Sequence, residues 1–392
     1  MVQFPVNQKF FKEKNAYLLL KKSILLRGLD PLILEECKKI WEKWKEAKRN
    51  YEKEKERYNK GLTKDKEKIK VLEEEWRKAE KELKKLYALP NILDERVPIG
   101  KEENKKVLYT IGKPEKKIKK LHYQIMNELN LVDLKRGIKL AGKRAYVEKE
   151  KLVLIEYALI LESLKFFKKE GYELITVPYL MNKELEEKIT YYEAFKDTIY
   201  NTDEGKILIP TSEHPIIGMY AEERLNKKEL PKRICAFSAA FRREAGVRKE
   251  MKGLFRVKQF NKVELHVICK KEQEEKELEK IIKVVEKFWK KLEMPYRLVI
   301  VPSEEMDKRA KIQYDIETWF PGMEQWRETH SIATTGEWIT RKVNLRDEEG
   351  EFLTNIYATG ISLQRTLCAL VENFYDEEKG TLELPKIIEK YF

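Results

Sequence analysis

The spacing of apolar residues changes along the chain, and each spacing predicts a different element. Between residues 31 and 58, Cys37, Ile40, Trp44, Ala47, Tyr51 and Tyr58 recur at three, four or seven, which marks one face of a helix. Ile69, Leu72, Trp76, Ala79, Leu83 and Leu86 then alternate three and four, a heptad seam. The stretch "YNKGLTKDK" between them carries the Asn, Gly and Thr of a turn. Together they predict an antiparallel coiled-coil hairpin, its arms of about 25 residues reaching ~40 Å at ~1.5 Å per residue. "LPNILDERVPIG" (89–100), with two prolines and a terminal glycine, closes the arm. In 234–244 and 255–267 the period falls to two, which predicts strands. One side of the second carries Phe255, Val257, Val263, Leu265 and Val267, interrupted by Gln259 and Asn261; the other carries Arg256, Phe260 and Glu264. Residues 271–292 return to the helical period, with Leu278, Ile281, Ile282, Val285, Phe288 and Leu292 on one stripe.

Composition narrows the class. The chain has 392 residues, 42% of them hydrophobic, enough for a sizeable core and two or three domains. Its apolar runs are short or broken by charge, so no membrane span and no secretory leader are expected, and the cytoplasm is the predicted compartment. Cys37, Cys235, Cys269 and Cys368 lie far apart without a CxxC pair, which predicts reduced thiols and no zinc site. Net charge is +13, and residues 1–90 hold 25 Lys and Arg against 16 Asp and Glu. A basic, protruding hairpin has two readings: a packing or dimerisation element with solvated charges, or a surface that tracks a phosphate backbone.

The stretch "FRREAGVRKEMKGLFRVKQFNKVEL" (241–265) combines arginines, an aromatic ring and carboxylates beside a core run. On a strand one side packs while the other works. A guanidinium grips phosphate oxygens, a ring stacks on a base, and a carboxylate accepts from an amine or hydroxyl. Alone, the pattern also fits an amphipathic hairpin with ordinary surface charge.

Further motifs remove that ambiguity. "FRREAG" with "GLFRVKQFNKVEL" resembles motif 2 of the class II aminoacyl-tRNA synthetases, and specifically the seryl-tRNA synthetase family. "GYELITVPYL", with Pro178, resembles motif 1, and "LIPTSEHP" resembles the serine-binding TxE loop. "YDIETWFPG" and "WRETHS" resemble the stretch before motif 3, and "ATGISLQRTLCALVENF" resembles motif 3 with Arg365. The hairpin and "LPNILDERVPIGKEEN" match the family's arm and its exit, and the short stretch after Arg365 leaves no expectation of an anticodon domain at the C-terminus. No P-loop or dinucleotide fingerprint competes for the nucleotide.

The resemblance implies an α+β fold: a class II antiparallel sheet of six or seven strands flanked by helices. Residues 1–95 would form the tRNA-binding domain with its arm, and 96–392 the catalytic domain. It also implies a homodimer through motif 1, with the arm of one subunit holding tRNA-Ser by its long variable stem across the other's active site. The implied reaction activates L-serine with ATP to seryl-adenylate and pyrophosphate, then transfers serine to the 3′-terminal ribose. By the same resemblance Arg242 bridges the α-phosphate and the serine carboxylate. Glu244 accepts from the adenine amine, Phe260 stacks under the ring, and Val257 offers its backbone to the base. Arg256 and Arg365 hold the outer phosphates, while Glu328 and Ser331 hold magnesium. Thr211 and Glu213 take the serine ammonium, and Glu264 and Thr359 its hydroxyl, a pairing that penalises alanine by leaving buried polar groups unpaired. His214 has no implied role beyond structure.

Four features depart from the family pattern: the short loop "VRKEMK", Lys258 in place of a histidine, Tyr357 and Ala358 where an asparagine-glycine pair is usual, and "LEEKITYYEAFKD" at the pocket rim. Two alternatives share the fold. One is a ligase that loads serine, glycine or alanine on a carrier protein, which would lack the basic arm. The other is a non-catalytic RNA-binding paralogue, which would have lost a motif arginine or the magnesium glutamate, and neither is missing.

Overall fold

The computed structural model describes residues 7–191, 196–244 and 253–392. In chain order its main elements begin with α1 (Lys14–Leu26), α2 (Leu32–Asn59), α3 (Lys66–Glu82), β1 (Lys106–Ile111) and α4 (Lys151–Lys169). They continue with β2 (Glu173–Thr176), β3 (Lys232–Phe241), β4 (Gln259–Cys269), α5 (Glu274–Trp289), β5 (Tyr296–Ile300), β6 (Ile312–Phe320), β7 (Gln325–Gly336), β8 (Thr354–Ser362) and α6 (Leu363–Phe374).

Helices α2 and α3 form the expected hairpin. The turn is set by Gly61, whose φ of 71° suits glycine, and by Asp65, whose side chain caps α3 by accepting from the Lys68 N–H at 2.9 Å. Cys37, Trp44, Tyr51, Ala79, Leu83 and Leu86 of the predicted seam are buried, and Tyr51 stacks on Trp76 at 5.2 Å between centroids. Trp41 joins them, a position the spacing missed. The second arm is shorter than expected, because after Glu82 the chain tightens into a 3₁₀ turn over Leu83–Ala88 that turns it toward the catalytic part.

The catalytic part is built on an eight-stranded sheet in the order β1-β5-β6-β7-β8-β4-β3-β2. All pairs are antiparallel except β2 with β3. The expected six or seven strands undercount it, since the edge strand β1 is exposed along its whole length and lacks an alternating pattern. Side-chain alternation divides the core. Along β3, Cys235 packs into the cluster with α4, α5 and α6, whereas Ile234 and Ala236 pack into the second cluster with the N-terminal helices. The predicted stripe of α5 is buried at all six positions, and each such side chain contributes about 1.5–3 kcal/mol. Helix α4 buries Leu152, Ile155, Leu159 and Phe167 but leaves Leu154, Tyr157 and Leu161 facing outward.

The base of the arm and the sheet share one apolar cluster, in which Leu20, Ile24, Leu34 and Trp41 meet Ile207, Ile234, Trp338 and Ile339. A buried arginine ties the two parts further. Arg27 is 1% exposed and donates to the carbonyls of Asn91 at 3.2 Å, Asp307 at 3.2 Å and Ala310 at 2.5 Å. Burial draws its guanidinium down to about 10, and Asp307 opposes that, so it stays charged at neutral pH. Arg27→Met leaves those carbonyls without a donor and is expected to lower stability in urea unfolding by about 3 kcal/mol. A loss below ~1 kcal/mol would show that the latch adds little beyond the apolar cluster.

Candidate active site

Strand β4 supplies the floor of the site. From Gln259 onward its side chains alternate, so Phe260, Lys262 and Glu264 face the cleft while Val263, Leu265 and Val267 enter the core. The strand starts later than the sequence pattern suggests. Phe255, Arg256 and Val257 belong to a bend, and Arg256 is not in strand register with Phe260 and Glu264. Strand β3 likewise ends at Phe241, which leaves Arg242 and Glu244 in the loop that follows. Glu244 takes a left-handed backbone with φ of 51°, so the strand expected over 234–244 does not extend to it. Alternating polar and apolar residues cannot separate a strand from an extended loop that crosses a pocket.

Even so, every predicted site residue lines one cleft of 520 Å³: Thr211, Glu213, Arg242, Glu244, Arg256, Val257, Phe260, Glu264, Glu328, Ser331, Thr359 and Arg365. Arg242 is held at its base by its N–H on the Lys258 carbonyl at 2.8 Å. Its Nε donates to the Pro210 carbonyl at 3.2 Å, and its guanidinium lies 5.2 Å from the Phe260 ring centre. Burial lowers its pKa, while Glu244 pulls the other way.

Most charges of the cleft are paired. Glu244 bonds to Arg256 and also accepts from Arg144 at 3.2 Å. Arg365 lies 3.0 Å from the Glu328 carboxylate. Lys262 lies 2.5 Å from one Glu264 oxygen, and the other accepts from Thr211 Oγ1 at 2.5 Å, Ser212 Oγ at 2.7 Å and the Glu213 N–H at 3.1 Å. Glu264 thus orders the TxE loop, and Thr359 stands opposite it across the β8–β4 pair. A bulge follows at Gly360, where a Cβ would press on the Phe167 ring at 2.8 Å and the Val263 carbonyl at 3.0 Å.

Residues the sequence reading did not select complete this end. Arg309 is clamped between Asp307, at 2.6 Å, and Glu213, at 3.0 Å. Tyr357, one of the departures, donates its hydroxyl to Asp307 at 2.8 Å. Arg309 also donates to His214 Nε2 at 3.2 Å, which leaves His214 Nδ1–H to donate to Glu186 at 2.9 Å. Lys262 was visible on the working side of β4, but Asp307 and Arg309 sit in a loop with no periodic signal. Lys258 donates to the Ala141 carbonyl at 3.3 Å. The "VRKEMK" loop lies outside the described residues, as does part of "LEEKITYYEAFKD".

Glu328 and Ser331 reach the cleft from the same strand although they stand three positions apart, an odd spacing that would send regular side chains to opposite faces. A bulge in β7 explains it: Ile316 pairs with His330 and Glu317 with Glu328, so Thr329 is the extra residue. Asp315 lies opposite Ser331, and burial followed by the nearby Glu328 pushes its carboxyl well above the usual range. Against the push of burial, Arg365 keeps the Glu328 carboxyl below its usual value. A carboxylate and a hydroxyl on one face form a hard oxygen set that fits a divalent cation such as magnesium.

A family model described as the tRNA synthetase class II core domain (G, H, P, S and T) matches residues 195–374. The chain is 34% identical to the serine–tRNA ligase of Thermoplasma volcanium over 95% of each chain, and 32% identical to that of Hyperthermus butylicus over 95% of this chain and 93% of the other. Its fold is similar to the crystal structure of seryl-tRNA synthetase from Pyrococcus horikoshii complexed with ATP, with a TM-score of 0.89, 31% identity and 98% of each chain covered.

The Glu264 anchor has an acid signature. Burial raises its carboxyl, but Lys262 and the hydroxyl donors outweigh that and bring it to about 2, against 4.5 for a free glutamate. The stabilisation is therefore complete above pH 4.5 and is lost as the pH falls toward 2. Glu264→Gln is expected to flatten the fall in stability over that window by roughly 3 kcal/mol, as read by denaturant unfolding at stepped pH. An unchanged slope would mean that the carboxylate is not held this way.

Proposed function

The chain belongs to the serine–tRNA ligase family of class II aminoacyl-tRNA synthetases, and on that premise we propose how its cleft divides the labour of activating serine. ATP is the nucleotide substrate and tRNA the acceptor of the second step. A carboxylate oxygen of serine attacks the α-phosphorus of ATP and pyrophosphate leaves. A hydroxyl of the 3′-terminal ribose then attacks the carbonyl of seryl-adenylate, and AMP leaves. In the first step positioning and charge neutralisation carry most of the burden.

The observation that supports the division of roles is the pairing of opposite charges across the cleft. An incoming triphosphate offers its oxygens to Arg256 and Arg365 and so releases Glu244 and Glu328. Each released carboxylate has a further role: Glu244 accepts from the adenine amine above Phe260, and Glu328 with Ser331 would hold magnesium. When bound, the cation would neutralise charge on the phosphates. Val257 lines the cleft where its backbone meets the base. Arg242, between the Pro210 loop and Phe260, bridges the α-phosphate and the serine carboxylate. Glu213 and Thr211 take the ammonium. Around Arg309, the carboxylates of Asp307 and Glu213 outnumber the guanidinium by one, which leaves a negative charge for that ammonium to meet. Glu264 and Thr359, facing each other across two strands, take the hydroxyl.

Two further parts of the reading concern assembly. The outward apolar strip Leu154, Tyr157 and Leu161 on α4, with Leu174, Tyr179 and Leu180 after it, supports a homodimer through motif 1. The hairpin of residues 31–88, with its excess of lysine and arginine, supports an arm that holds tRNA-Ser by shape across that dimer.

The deciding measurement is ATP–pyrophosphate exchange with each of the twenty amino acids, followed by charging of total tRNA. Exchange with serine alone, then charging, is expected. Exchange without charging would fit a carrier ligase, and no exchange a non-catalytic paralogue. Arg242→Ala is expected to cut serine-dependent exchange by about a thousandfold, and near-normal exchange would remove it from the α-phosphate. Deleting residues 31–88 with a short linker in their place is expected to spare exchange and cripple charging. Full charging by the truncated protein would show that the arm is not the tRNA handle.

A further inference from the structure

Glu156 faces inward from α4 and is 6% exposed, on the same helix that turns Leu154 and Tyr157 outward. Its Oε1 accepts from Asn261 Nδ2 at 2.9 Å and from Gln364 Nε2 at 2.7 Å. Gln364 closes the ring, because its own Oε1 accepts from the Asn261 N–H at 2.7 Å. Asn261 directly follows Phe260 on β4, and Gln364 directly precedes Arg365 on α6. A carboxylate on a third element thus joins the two backbone segments that present the ring and the guanidinium to the nucleotide.

We propose that Glu156 is a positioning residue for the nucleotide site, acting through Asn261 and Gln364 to fix Phe260 and Arg365. The proposal rests on the reading of those two residues as ATP contacts. Glu156 touches neither the cleft nor the substrate. Its effect is to remove freedom from groups that must meet the base and the phosphates together, and small misplacements of such groups weaken binding strongly.

A second carboxylate faces the same amide. Gln364 Nε2 also reaches Glu148 Oε1 at 3.1 Å. Burial, followed by the bond to Glu156, pushes the Glu148 carboxyl up to about 9. The other groups around the pair are the amides of Asn261 and Gln364 and the Tyr146 phenol, which burial and these carboxylates raise well above its usual value. Above about pH 9 Glu148 loses its proton beside Glu156, and the ring around Gln364 loosens.

The test uses the full-length protein and two readouts: ATP affinity by calorimetry without amino acid, and the ATP and serine KM values in exchange. Glu156→Ala is expected to raise the ATP Kd and KM about tenfold while the serine KM moves less than about twofold. Glu156→Gln keeps an oxygen for the two amides and offers an N–H to Glu148, and is expected to recover ATP affinity to within about threefold of wild type. Wild-type ATP affinity should fall above about pH 9, and Glu148→Gln should remove that fall. An unchanged ATP Kd in Glu156→Ala overturns the proposal. So does a loss shared equally by ATP, serine and thermal stability that glutamine does not recover. If wild type shows the ATP pattern but no serine-dependent exchange, the positioning role stands and the amino-acid reading falls.

Discussion

Most of the ionic groups that line the cleft are held against an opposite charge, because an uncompensated ion in a partly desolvated pocket is costly. The structure meets this constraint with carboxylates and cations in contact: Glu244 with Arg256, Glu328 with Arg365, Glu264 with Lys262 and Glu213 with Arg309. Much else follows from it. The left-handed turn at Glu244 brings its carboxylate to Arg256 and Arg144, and the hydroxyls of Thr211 and Ser212 saturate an oxygen that Lys262 leaves open. An anion that enters such a site exchanges places with the carboxylates that already hold Arg256 and Arg365. What substrate must supply is a better partner than the one it displaces.

The parts legible in the sequence were those governed by period. The stripe of α5, the hairpin seam and the alternation of β4 from Phe260 onward are repeated patterns in which many residues say the same thing. What the pattern misplaced was the stretch 255–257, because a loop laid across a pocket also alternates between wall and opening. The motif residues meet in one cleft even where the strand was misplaced, since they are marked by their chemistry and their neighbours rather than by their element. Asp307 and Arg309 left no mark of either kind. Their meaning comes from Tyr357, fifty residues on, whose hydroxyl reaches Asp307 only once the sheet has formed. The Tyr357 departure, which in the sequence looks like a lost polar contact, is in the fold one side of an anchored guanidinium.

The arm is not an appendage with its own core. Its base is continuous with the second apolar cluster, and Arg27 carries the connection into the loop that holds Asp307 and Arg309. The same loop therefore meets the N-terminal helices on one side and the Glu213 end of the cleft on the other. Helix α4 has a comparable double aspect, with an apolar strip outward and Glu156 inward.

The single extra residue at Thr329 has a wider consequence for how this family can change over time. Upstream of it, β7 counts its faces in one phase, and downstream in the other; the oxygens of Glu328 and Ser331 share a side only because that phase slips once between them. Point substitutions along β7 leave the slip intact and alter one contact each. Straightening the strand at constant length would put the two oxygens on opposite faces, whereas losing Thr329 together with the bulge would leave glutamate and serine two apart and on the same side. A change in strand length is thus tolerated only when the bulge changes with it, and E-x-x-S shares a side here because the strand slips once within it.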